Sequence, residues 1–160
     1  MSSVSISFDV DGEITSCGLK KKEEQNWLKA IAQLHGKSKG HLHYIFTDDT
    51  SLRTMNNRYL QHDYETDIIT FDLSDSASNA LYGEMYISID RVKENAEFEK
   101  VPYAEELRRV MAHGLLHLLG YNDHSEEEKA EMRKAEGISL AMWKTHCEFV
   151  SKSESKTQTK

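Results

Sequence analysis

The sequence has one proline, two cysteines and eight glycines in 160 residues, and no apolar run that approaches the length of a membrane span. Each shortage excludes something. Cys17 and Cys147 cannot build a disulfide framework and lack metal-ligand spacing, so the chain reads as a reduced, cytoplasmic protein. With no Gly/Ser-rich or Pro-rich break there is no candidate linker, and the length suits one domain around one ordinary core. The N-terminal segment alternates serine with Val4, Ile6, Phe8 and Val10, which is neither a secretory signal nor an amphipathic transit peptide. No membrane partner is expected. Positive charge is scarce too: 20 Lys and Arg against 27 Asp and Glu leave a net charge of −7. Passive nucleic-acid-binding modules take their affinity from Lys and Arg, so that class is disfavoured and no DNA partner is expected.

What is present patterns well. Period-two alternation from Ser3 to Val10 predicts a strand, followed by a turn around Asp11 and Gly12. Trp27, Leu28, Ile31 and Leu34 recur at helical spacing before Gly36. His41 to Thr47 alternates as a second strand, and Leu52, Met55 and Tyr59 mark a helix from Asp48 to Leu60. Asp67 to Leu73 and Leu81 to Ile89 read as further strands, joined by a polar loop from Ser74 to Ala80. Asp90 is the expected cap of a short helix to about Phe98, and Pro102 suits the first turn of a helix that ends before Gly120. Ser125 and Glu128 form a capping box for a last helix to about Phe149, with a break expected near Gly137. The expected fold is α+β: a single domain over residues 1–150, with a mixed four-stranded sheet packed by about five helices. The tail, residues 151–160, is all Ser, Lys, Glu, Thr and Gln and is expected to be disordered.

The chemistry concentrates in His113-Gly-Leu-Leu-His117-Leu-Leu-Gly120-Tyr-Asn-Asp123-His124. Helix residues four apart share a face, so His113 and His117 can turn their nitrogens to one centre. Leu115, Leu116, Leu118 and Leu119 mark the helix as buried, and histidines there need partners, unlike histidines on a solvated helix. Gly120 can take a left-handed conformation and turn the chain back, bringing His124 or Asp123 to the same ion. Three protein ligands leave a fourth position for water, as at catalytic zinc, which lowers the pKa of that water to about 7. Gly114 stands where zinc peptidases of the H-E-x-x-H type keep their general base, so that chemistry is disfavoured. Glu106, two helical turns before His113, is a candidate to orient a histidine or a water; a half-exposed glutamate in an early turn is the plainer reading. Met132, Ile138, Met142 and Trp143 read as packing residues. His35, His41, His43 and His146 lack clustered spacing. His62 lies in a loop close enough in sequence to approach the cleft.

This run resembles the H-G-x-L-H-L-x-G-Y-D-H signature of the YbeY family, bacterial metal-dependent endoribonucleases of ribosomal RNA maturation. Glu106-Leu-Arg-Arg-Val-Met-Ala-His113 looks like the family's helix entering the site, Gly83-Glu-Met-Tyr-Ile-Ser88 is similar to its G-D-I-x-I-S strand, and Thr66-Asp-Ile-Ile-Thr-Phe71 to T-D-V-L-S-F. The resemblance spans about residues 52 to 132. It implies one zinc ion per chain, held by His113, His117 and His124 in a cleft between their helix and the sheet edge. It also implies a role as a single-strand-specific endoribonuclease in 16S ribosomal RNA 3′ end processing and ribosome quality control. The implied partners are ribosomal RNA, the small ribosomal subunit and ribosome-associated assembly factors.

Two departures stand out. One residue is inserted before the last histidine, so Asp123 occupies the family's third-ligand distance; gapping out Asn122 restores His124, and Asp123 is the alternative ligand. The family's arginine in N-x-x-Y-R falls on Leu60, which cannot clamp a phosphate. Arg58 is the nearest substitute, although on a helix it lies about 200° away. Arg53 and Lys93 are further candidates. RNA contacts would fall to a local basic cleft drawn from Lys20, Lys21, Lys22, Lys37, Lys39, Arg53, Arg58 and Arg91, although charge runs are more often solvated faces. Two rival readings stay open: a metal-stabilised ribosome-assembly factor that acts by binding, and a metallohydrolase acting on a peptide or small molecule.

Overall fold

The computed structural model describes residues 3–11, 20–60, 66–75 and 79–158, without the side chains of Tyr59, Leu60 and residues 146–158. Gly12, Cys17 and His62, and the side chains of Leu60, His146 and Cys147, therefore lie outside the described residues. The elements are β1 (Ser5–Val10), α1 (Lys21–Leu34), β2 (Gly40–Thr47), α2 (Asp49–Leu60), β3 (Ile68–Asp72), β4 (Leu81–Ser88), α3 (Ile89–Glu99), α4 (Tyr103–Leu118) and α5 (Glu126–Gln158). The expected mixed four-stranded sheet is present, in the order β1-β2-β4-β3. β1, β2 and β4 run parallel, and β3 pairs antiparallel with β4 as an edge strand.

Alternation sorts the side chains. Leu42, Tyr44 and Phe46 of β2 and Leu81, Met85 and Ile87 of β4 are buried in one core with Trp27, Leu28 and Ile31 of α1 and Leu107, Val110, Met111 and Leu115 of α4. Full burial of each such side chain contributes about 1.5–3 kcal/mol. Tyr44 Oη donates to the Met111 carbonyl at 3.0 Å, tying α4 to the middle of the sheet. On the opposite pleat, His41 exchanges hydrogen bonds with Ser5 and Ser7, and His43 pairs with Asp9. These histidines are occupied by their own strand neighbours.

α5 packs on α4 and α1 over the same core. Trp143 meets Trp27 edge-on with ring centroids 5.7 Å apart, and Trp27 Nε1 donates to the Ser139 carbonyl at 2.7 Å. Arg108 stacks over Trp143 and binds the fully buried Glu24 at 2.6 Å. Ile138, expected to pack, is instead 49% exposed. α5 also passes through Gly137 without a break, and its helical span reaches beyond Phe149 into the polar tail. Among the described residues no helix is long and apolar enough to cross a membrane.

The helix starts are set by side chains. Ser88 caps α3, its Oγ accepting from Arg91 N at 3.2 Å; Asp90, the expected cap, instead accepts from Asp49 N. The capping box of α5 forms as expected, with Ser125 N donating to Glu128 Oε1 at 2.9 Å and Glu128 N to Ser125 Oγ at 3.1 Å. The Ser125→Ala variant is expected to lose about 1 kcal/mol of stability. An unchanged urea midpoint would remove the box from the account of how α5 begins.

Candidate metal centre

α4 carries the centre because one side of it is built to lie flat on the sheet. A Cβ at Gly114 would come within 2.7 Å of Ile68 Cδ1 and 3.2 Å of Met85, so a side chain there would be forced against β3 and β4. His113 and His117, one turn apart on the flank, are left partly exposed.

The helix then ends in a Schellman motif. Gly120 takes φ +106°, Gly120 N donates to the His117 carbonyl at 3.1 Å and Tyr121 N to the Leu116 carbonyl at 3.0 Å. Tyr121 packs with Leu116, and His35, the residue that ends α1, meets it edge-on. This turn has two effects on the site. It directs the Tyr121 carbonyl at His117 Nδ1, which donates to it at 3.1 Å, and it brings Asp123 back over the helix end.

Three atoms meet there. His113 Nε2 and His117 Nε2 are 3.0 Å apart, and each is 3.4 Å from Asp123 Oδ2. Two ligands about 2.05 Å from a tetrahedral ion lie about 3.3 Å apart, so these spacings suit a zinc-like cation. The protons agree. Each Nδ1 faces only an acceptor, the Glu136 carboxylate or the Tyr121 carbonyl, so in the neutral rings Nδ1 carries the hydrogen and both Nε2 lone pairs converge with a carboxylate oxygen. Such a triad suits a cation between its members. His113, His117 and Asp123 therefore lie close enough to bind a metal.

Behind the ligands runs a chain of buried charge. His113 Nδ1 donates to Glu136 Oε2 at 2.6 Å; Arg109 Nη1 donates to Glu136 Oε1 at 3.2 Å, and its Nε and Nη2 hold both oxygens of Glu106. Glu106 and Glu136 are only 2% and 6% exposed. Burial disfavours the charged His113 ring, but the hydrogen bond and charge of Glu136, helped by Asp67 and Asp123, outweigh it and raise the His113 pKa. Burial likewise pushes the Glu136 carboxyl up, and His113 and Arg109 more than reverse it. Asp67 on the facing wall is shifted upward by burial, with Arg109 and His113 opposing.

The cleft in front, about 740 Å³, lies between α4 and the edge strand, as expected. Thr66, Asp67, Ile68, Ile69, Thr70 and Asp72 line one wall, and His113, His117, Leu118, Asp123 and His124 the other, with Asn56 of α2. His124 lines this cleft without entering the ligand group; the chain running directly from Gly120 brings position 123 to the histidines, while Asn122 stays exposed. Glu106 is a buried partner of Arg109 and reaches His113 only through Arg109 and Glu136. Arg58 is exposed, and Asn56, not Arg58, is the described α2 residue at the cleft. Arg53 and Lys93 are exposed and line neither wall.

Sequence reasoning missed Glu136 and gave Asp67 no role. A signal for Glu136 existed: Met132, Ala135, Ser139 and Trp143 form the buried stripe of α5, and a carboxylate on that stripe requires a buried partner.

A profile described as Endoribonuclease YbeY matches residues 9–144. The endoribonuclease YbeY of Bacteroides fragilis is 43% identical over 141 residues, covering 88% of this chain and 99% of that protein. That of Cytophaga hutchinsonii is 46% identical over 133 residues, covering 82% and 92%. The solution structure of TM1509 from Thermotoga maritima is alike in fold, with a TM-score of 0.60 at 23% identity over 88% of this chain and 92% of that one. The matched span runs from the end of β1 through β2, β3 and β4 and includes the three convergent candidate ligands of α4 and its turn. By sequence over most of its length, this chain belongs to the endoribonuclease YbeY family.

Proposed function

We propose that this chain is a zinc-dependent, single-strand-specific endoribonuclease that matures ribosomal RNA at the 16S 3′ end, takes part in ribosome quality control, and works in the cytoplasm with the small ribosomal subunit as partner. The observation that carries this reading is the three-ligand centre facing an open polar cleft in a chain whose relatives are named endoribonucleases. His113, His117 and Asp123 would hold the ion, with His124 beside them on the cleft wall. When bound, zinc supplies Lewis-acid activation of water and stabilises charge that develops on a phosphoryl oxygen.

The chain's own groups do the rest. Glu136 and the Tyr121 carbonyl each fix one ring by its Nδ1 hydrogen, holding both Nε2 atoms toward the centre. Thr66 and Thr70 offer hydrogen bonds to ribose or base edges, and Ile68, Ile69 and Leu118 supply an apolar floor. A single strand with splayed bases suits such a wall better than a duplex. A peptidase of the H-E-x-x-H type is disfavoured by Gly114, which carries no general base.

The test is incubation of zinc-loaded protein with precursor 16S RNA, alone and in small subunits, beside the same protein stripped by a chelator. Cutting by the loaded protein alone supports the reading, and the product ends distinguish water from the ribose 2′-hydroxyl as nucleophile. Intact RNA in every loaded sample would instead favour a binding role in ribosome assembly.

A further inference from the structure

We propose that Arg133 and Lys129, on α5, form a subsite for the RNA backbone phosphate next to the one being cut. This rests on the nuclease reading above. RNA approaching the centre meets a problem of charge: the protein carries −7, and the cleft is lined by Asp67, Asp72 and Asp123, with no lysine or arginine among its described residues. Phosphate contacts require cations close to the reacting site.

They stand on the other side of the same ligands. A hollow of about 230 Å³ is lined by His113 and Asp123 together with Arg109, Lys129, Arg133, Met132 and Glu136. Three cations border it, but they are not equivalent. Arg109 is spent, its guanidinium shared between Glu106 and Glu136. Arg133 is exposed and makes no hydrogen bond or ion pair among the described residues. Lys129 has one long pair, 3.6 Å to Glu126, with that carboxylate's side chain 94% exposed.

Position on the helix gives these cations an order. Residues 129, 133 and 136 follow at intervals of four and three, so they share one stripe of α5. Glu136 is anchored on His113, and Arg133 and Lys129 lie about one and two turns before it on the helix, at about 5.4 Å per turn. A strand with its scissile phosphate at the ligands would carry a neighbouring phosphate over Arg133. A guanidinium there can take two phosphate oxygens at once, and Lys129 adds a point charge. A second hollow bordered by Arg133 is lined by Glu99 and Glu105, whose charge disfavours phosphate there.

The experiment compares zinc-loaded wild type with Arg133→Ala, Arg133→Lys and Lys129→Ala, and with Lys144→Ala, an exposed cation further along the same helix. Zinc content and melting temperature are checked first. Cleavage of a short single-stranded RNA is followed across a potassium chloride series. Arg133→Ala is expected to raise KM about tenfold with kcat nearly unchanged, a loss typical of one charged contact. The slope of log kcat/KM on log salt should fall by about 0.7, as for one lost phosphate contact on a single strand. Arg133→Lys should keep the slope, Lys129→Ala should show a smaller effect, and Lys144→Ala none. If wild type cuts and Arg133→Ala matches it in KM and slope, the subsite is wrong while the nuclease stands. If loaded wild type does not cut at all, the nuclease reading falls and takes the subsite with it.

Discussion

Replacement of Arg109 by methionine is expected to lower the stability of the metal-free protein by about 3–5 kcal/mol, the cost of leaving buried charge without its partner. Glu106 is 2% exposed, and both of its oxygens are held by Arg109. Methionine keeps the length of the stem and removes all the donors. Glu106 would then be left to ionise in an apolar surrounding or to take up a proton, and Glu136 would retain His113 as its hydrogen-bond partner. Urea denaturation without metal measures the effect without the added stability of a bound ion. Pairing the change with Glu106→Gln should recover part of the loss, because the stranded charge is gone. A single variant within 1 kcal/mol of wild type would show that the charge chain does not hold α4 and α5 together.

The second large effect falls on the metal. Glu136→Gln is expected to weaken zinc binding about tenfold and Glu136→Ala about a hundredfold, the range for groups that orient a ligating histidine. Glutamine can still accept the Nδ1 hydrogen of His113 but brings no charge; alanine frees the ring to turn. Competition against a chromophoric chelator reads the affinity directly, without reference to catalysis. Zinc affinity within twofold of wild type in the alanine variant would mean that packing alone orients His113.

The elements were legible because the signals for them are local. Alternation and helical stripes locate the four described strands, α1 and α2, while α3, α4 and α5 are read from cap and stop signals in a few adjacent letters, such as the Ser125–Glu128 box and the Gly120 stop. The strand order was not legible, since nothing in β3 states that it inserts antiparallel beside β4 at an edge. The site divides in the same way. His113 and His117 follow from helix geometry, whereas the choice between Asp123 and His124 depends on how the chain leaves a left-handed glycine, which spacing alone does not determine. Glu136 lies 23 residues from its histidine and meets it only when α5 folds back over α4. Arg133 escaped notice because a lone arginine on a helix is ordinarily solvated; its meaning comes from the hollow it borders.

The turn at Gly120 makes the centre almost self-contained along the chain. All three ligand atoms come from residues 113 to 123, so an ion there fastens a loop of about ten residues, and closing so short a loop withholds little freedom from the unfolded chain. The sheet and its tryptophan-sealed core draw on contacts from the whole length of the sequence. The molecule thus consists of a durable frame and a separately fastened clasp. Loss of an ion held there would be expected to slacken the clasp while the frame stays folded.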